Sequence, residues 1–118
     1  MGLGRAHLIR GEIWTVAGGA GQYATKPRPG IIVQDDLYSG TDAVLVGPVT
    51  TYPEGAPFPR LPLQPSEQNG LQAPSHIMVD RIYAIGRRRL GRRVGSLDAA
   101  DQVRVDEGLR RILGLAAT

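Results

Sequence analysis

Sixteen glycines and nine prolines divide this chain of 118 residues into short runs, and six of the prolines fall between residues 51 and 74. Proline fixes φ and removes a ladder donor, and glycine supplies tight turns, so regular elements are confined to what lies between them. The apolar fraction is 42%, with only one Trp, one Phe and four Tyr, so the core must come mainly from Ile, Val and Leu, which suit a curved sheet. A chain of this length has room for one domain around one core.

Residues 9–16 are expected to form a strand, because Ile13, Trp14, Thr15 and Val16 are β-formers ahead of the break at Gly18-Gly19-Ala20-Gly21. A flexible loop follows. The apolar run at 30–34, bounded by prolines and by Asp35-Asp36, reads as a second strand, and 43–50 as a third that bulges or meets an edge at Pro48. The stretch 51–74 is a long proline-rich excursion, a lid or partner-binding candidate on one reading and a stiffened connector on the other, with 60–63 as its one short edge strand. Residues 77–85 read as one later strand, 87–90 as a helical turn and 92–95 as a last short strand.

The C-terminal part, 98–113, carries the signals of a helix. Ser96 or Asp98 caps its start, Asp98 and Asp101 suit the positive end of the dipole, Arg110 and Arg111 the negative end, and Gly114 stops it. Asp106 with Arg110 and Glu107 with Arg111 are neighbours four apart, and Val105, Leu109, Ile112 and Leu113 make an apolar stripe expected to pack on the sheet. The organisation is therefore a flexible N-terminal segment, 1–7, and a single domain, 8–115.

Composition also limits the chemistry. With no cysteine there is no disulfide, thiolate metal site or cysteine nucleophile, which fits a reducing compartment, and no apolar run approaches the roughly 20 residues that span a bilayer. A cytoplasmic protein without membrane attachment is expected. Thirteen of the fourteen basic residues are Arg, six of them between Arg81 and Arg93, a bias that points to a polyanion or an acidic partner. Gly19-Ala20-Gly21-Gln22-Tyr23-Ala24 fits a relaxed dinucleotide fingerprint, but Pro27 and Pro29 deny it the helix that would receive a pyrophosphate. Lys26-Pro27-Arg28-Pro29 sets two cations two residues apart in an extended segment, projecting to one side, where they can grip a phosphate. His7 and His76 are weaker candidates for acid–base work, and Asp35-Asp36 suits a strand-to-turn junction better than a cation.

Read in order, Arg10-Gly11-Glu12-Ile13-Trp14, a glycine-rich loop, Lys26 to Asp36, and Ala43 to Thr50 resemble the MazF/PemK toxin family. Asn69-Gly70-Leu71, the stretch 75–82, the stretch 89–95 and the terminal helix keep the family's order, so the resemblance covers nearly the whole chain. It implies an α+β fold: a small, strongly curved antiparallel β-barrel (SH3-like, CcdB/PemK-type) with a C-terminal α-helix. It further implies an endoribonuclease toxin, an mRNA interferase of a type II toxin–antitoxin pair. Such a toxin works as a homodimer on single-stranded RNA, without metal or cofactor, and is inhibited by a cognate antitoxin. On the family pattern Arg28 is the catalytic residue and Thr50 helps hold the scissile phosphate.

Lys26, Tyr23, Thr51 and Tyr52 are the accompanying RNA-binding candidates, and Arg87, Arg88 and Arg89 a candidate surface for antitoxin or RNA. The implied reaction is attack of a ribose 2′-hydroxyl on its own phosphate, giving a 2′,3′-cyclic phosphate and a 5′-hydroxyl. Arginine holds its proton to a pKa above about 12, so Arg28 suits a charge clamp or a proton donor rather than the base, which stays unassigned. Two other readings use the same sequence: a CcdB-like toxin that binds a topoisomerase and cuts nothing, and a non-catalytic RNA-binding barrel that uses the arginine strip.

Overall fold

The computed structural model describes residues 7–18, 25–51 and 57–115. Its strands are β1 (Glu12–Gly18), β2 (Thr25–Ile32), β3 (Ala43–Thr51), β4 (Arg60–Leu63), β5 (Ser75–Met78), β6 (Tyr83–Gly86) and β7 (Leu90–Ser96), and they precede one helix, α1 (Ala99–Leu113). The strands form one antiparallel sheet in the order β4-β5-β3-β2-β1-β7, with β6 added on β3. The sheet is strongly curved but not closed by strand pairing, because β4 and β7 do not pair.

What joins the two ends is the latter half of the proline-rich excursion. Ser96 N donates to Gln68 O at 3.0 Å and Gln68 Nε2 donates to Leu97 O at 3.1 Å. Asn69, buried to 2% exposure, organises this segment: its Oδ1 accepts from Ser66 N and Leu71 N, and its Nδ2 donates to Gln64 O. Gly70, at φ +69°, and Gly95 let the segment lie directly on β7, since a Cβ at either would collide with backbone. Residues 60–63 are the expected edge strand. Among the described residues, 64–71 are tied down by these bonds.

The expected strand at 77–85 is broken. A 3-10 turn at Val79–Arg81 separates β5 from β6, because the two serve one edge of β3 in succession: β6 along residues 43–46 and β5 along 49–51. Pro48 falls in the interval between these registers, which is why an inner strand tolerates it; the regular β2–β3 register shows no bulge there. The turn predicted at 87–90 is a 3-10 turn at Arg87–Arg89.

Strand alternation distributes two apolar clusters. Ile13, Ile31, Val49 and Ile77 face α1 and meet Val105 and Leu109, while Val16, Ile32, Val44, Val46 and Ile85 point to the other face. Asp98 caps the helix by accepting from Asp101 N, and Gly114 ends it in the left-handed region at φ +70°. The apolar stripe packs only in part. Val105 and Leu109 are buried beside Gly108, where a Cβ would come to 2.7 Å from Leu61, whereas Ile112 and Leu113 are exposed.

The two expected helical ion pairs are also replaced. Asp106 binds Arg10 at 2.6 Å, Arg110 pairs with Glu107 three residues away, and Arg111 lies over the Phe58 ring at 3.9 Å.

Candidate active site

β2 is longer than the sequence suggested, and its extension makes the site. Residues 25–29 pair with β1, Thr15 opposite Pro29 and Val16 opposite Arg28, but β3 pairs only with Gly30 to Ile32. Pro27 and Pro29 therefore owe no hydrogen bond on the β3 side, and the extended basic segment is an overhanging strand paired on one side only. A register shift between Val16 and Gly18 accommodates the twist.

Register then fixes which side chains meet. On β2, Lys26, Arg28, Gly30 and Ile32 share one face; Ile32 stands opposite Val46 on β3, and Val46, Pro48 and Thr50 continue that face. Arg28 and Thr50 consequently line one cleft of about 370 Å³, together with Val16, Gly18, Pro29, Pro48, Val49, Met78 and Tyr83. Arg28 is exposed, and neither it nor Lys26 has a hydrogen-bond or ion-pair partner among the described residues. Thr50 Oγ1 has one long contact, 3.4 Å to Thr51 O, which leaves the hydroxyl available. An unpartnered cation and a weakly bonded hydroxyl lining one cleft with apolar walls are suited to an anionic phosphoryl group.

The remaining candidates separate. Lys26 lies on the same face as Arg28, and Thr51 is exposed at the end of β3; neither lines the cleft. Tyr23, Tyr52 and the glycine-rich loop at 19–24 lie outside the described residues. His76 sits inside β5 directly opposite Thr50, buried to 4% and not lining the cleft, while His7 is exposed. Asp35 caps the 3-10 turn at Asp36–Tyr38, and Asp36 accepts from Arg10 N, so both have structural partners. Among the described residues no three His, Cys, Asp or Glu side chains gather as a metal site.

The arginine strip is not one surface. Arg87 donates to Ser39 O at 2.6 Å, and Arg89 spans Ala17 O through Nε and Nη2, so both tie loops to the sheet. Arg88, between them, is exposed without a partner among the described residues; it borders a larger hollow of about 700 Å³ floored by Leu8, Trp14 and Leu90. That hollow lacks the cation-and-hydroxyl pair, so the smaller cleft is the candidate for chemistry. Arg93 is held by Glu12 at 2.8 Å. Burial pushes the Glu12 carboxyl up, but the Ile9 N–H and the Arg93 and Trp14 side chains donate to it and hold it below the ordinary value of 4.5.

Sequence reasoning missed Tyr83 and Met78. Ile77 and Tyr83 would share a face in an unbroken strand, but the turn at Val79–Arg81 reverses the phase, so Ile77 enters the core and Tyr83 the cleft. No periodicity in the sequence signals that reversal.

Comparison with known proteins places the fold. Over 109 residues the chain is 41% identical to a probable endoribonuclease MazF of Mycolicibacterium smegmatis, covering 92% of this chain and 99% of that protein. The Mycobacterium tuberculosis toxin MazF-mt6 superposes with a TM-score of 0.73 at 25% identity, over 90% of this chain and 99% of that one. A mycobacterial endoribonuclease solved in complex with its cognate antitoxin gives 0.76 at 22% identity, over 97% and 100%. Residues 9–113 match the family described as PemK-like, MazF-like toxin of type II toxin-antitoxin system, and with a curved antiparallel sheet and one terminal helix the chain belongs to that family.

Proposed function

We propose that this protein is a toxin endoribonuclease that cuts single-stranded RNA in the Arg28–Thr50 cleft. The observation that carries the reading is the convergence of these two residues, 22 positions apart, on one face through the Ile32–Val46 register, each with its polar end available. The relative's name, probable endoribonuclease MazF, supports it.

In this reading the 2′-oxygen attacks phosphorus, the bond to the 5′-oxygen breaks, and the products are a 2′,3′-cyclic phosphate and a 5′-hydroxyl. One proton leaves the 2′-hydroxyl and one is delivered to the departing 5′-oxygen. The Arg28 guanidinium neutralises the charge growing on the phosphoryl oxygens and donates a hydrogen bond toward the leaving oxygen. Thr50 donates its hydroxyl to a phosphoryl oxygen, and Lys26 meets the adjoining backbone charge. Nothing in this step requires a metal ion. The protein works as a cytoplasmic homodimer, and a cognate antitoxin restrains it, Arg88 offering an acidic segment a free cation beside an apolar hollow. The nuclease reading is preferred to a topoisomerase-binding toxin because that role has no use for Arg28 and Thr50 in one cleft.

Purified protein incubated with a long transcript in EDTA should generate new 5′-hydroxyl ends. RNA that is bound but intact would instead support a non-catalytic barrel, and RNA neither bound nor cut a toxin with another target. Sedimentation of the free protein at twice the 12.7 kDa chain mass tests the dimer.

A further inference from the structure

Phosphate recognition leaves the cleft without an assigned surface for the nucleobase. Tyr83 stands opposite Val46 on β6, and so shares the face that carries Arg28 and Thr50. It lines their cleft, is 40% exposed, and its hydroxyl has no hydrogen-bond partner among the described residues. A tyrosine engaged in packing would bury its ring, and one engaged in the fold's polar network would bond its hydroxyl; this one does neither fully. Its ring instead borders a space whose other walls, Pro29, Pro48 and Met78, are apolar and whose cation is Arg28. That combination of flat aromatic, apolar walls and a cation at phosphate reach is the composition of a single-strand binding site.

We propose that Tyr83 is the stacking platform of the cleft, holding the nucleobase next to the scissile phosphate. The inference rests on the nuclease reading and assigns to Tyr83 a role in seating the RNA, separate from the chemical step that Arg28 and Thr50 serve. Because every base has a π-face, the platform tolerates any base and favours purines, which stack over a larger area.

The test uses a short single-stranded RNA centred on a bond that the wild-type protein cuts in a long transcript. Tyr83→Leu, which keeps apolar bulk, should raise KM about ten- to a hundredfold with kcat changed less than about threefold, while Tyr83→Phe stays near wild type. On the same RNA with an abasic ribose beside the cut bond, wild type and Tyr83→Leu should become equal. If wild type cuts no RNA, the nuclease reading falls and this inference with it. If wild type cuts and Tyr83→Leu matches it, or loses kcat alone, or keeps its defect on the abasic RNA, the stacking role is wrong while the nuclease reading stands. A Tyr83→Leu protein that cuts normally but no longer binds antitoxin would make this face a protein contact and likewise overturn the inference. Tyr83→Phe carries the aromatic arm should Tyr83→Leu prove unfolded by circular dichroism: a Phe protein that cuts the intact RNA with KM raised tenfold also overturns it.

Discussion

Replacing Asn69 with alanine tests whether the sheet's two ends are held together by side-chain chemistry or by the sheet alone. The substitution deletes an acceptor serving Ser66 N and Leu71 N, both at 2.9 Å, and a donor serving Gln64 O at 2.8 Å. Asn69 is 2% exposed, so its partners lose bonds in a place where water is scarce on that side. A net value of about 1 kcal/mol per bond gives about 3 kcal/mol, reduced to about 2 where the neighbouring backbone rehydrates. For a chain of 118 residues that corresponds to a fall in Tm of about 8–12 °C. Ser66→Ala is the internal control. It removes only the bond that Asn69 N donates to Ser66 Oγ and should cost about 1 kcal/mol. Thermal melts followed by circular dichroism read both, and RNA cleavage at 25 °C should be unchanged because Asn69 does not line the cleft. An Asn69→Ala melt within about 3 °C of wild type, or a Ser66→Ala effect as large, would refute the reasoning.

Glu12 should impose a pH dependence on stability. Its folded pKa is depressed, so its contribution is fully present above the unfolded carboxylate value and is lost as the pH falls through the folded one; the stability gap between wild type and Glu12→Gln should narrow on acidification in urea titrations. A gap that stays constant down to pH 3 would contradict this. Gly70→Ala forces a Cβ into the left-handed region and against Val94 backbone, and should lower the urea midpoint by the equivalent of about 2 kcal/mol or more. Arg89→Ala loses its two bonds to Ala17 O and should cost about 1 kcal/mol, while Arg88→Ala should leave stability within about 0.5 kcal/mol and weaken antitoxin binding.

Much of this was legible in the residues. The helix at Ala99–Leu113 announced itself through Asp98, the arginines of its last turn and Gly114, all local signals that do not depend on distant contacts. The strands around Ile13, Ile31 and Val46 followed from apolar runs between glycines and prolines, whereas the pairing of Arg28 with Thr50 was implied by the family resemblance alone. What escaped depends on pairing between distant segments. Lys26 to Pro29 read as extended but not as part of a sheet, because its prolines forbid a two-sided ladder, and only the absence of β3 beside them makes a paired strand possible. The turn at Val79–Arg81 exists because β3 hands its edge from β5 to β6, a tertiary fact that also sends Tyr83 to the cleft. Asn69-Gly70 read as a motif without a purpose until the gap between β4 and β7 supplied one. The exposed Ile112 and Leu113 show the same limit from the other side: helical periodicity names a stripe but not how much of it is covered.

Cleavage in this cleft depends most directly on Arg28. Wild type and Arg28→Ala, incubated with the same transcript in EDTA, should differ by at least about a hundredfold in the rate at which 5′-hydroxyl ends appear, with RNA affinity reduced only modestly. Cleavage by Arg28→Ala at the wild-type rate would contradict the assignment of the cleft as the place where RNA is cut.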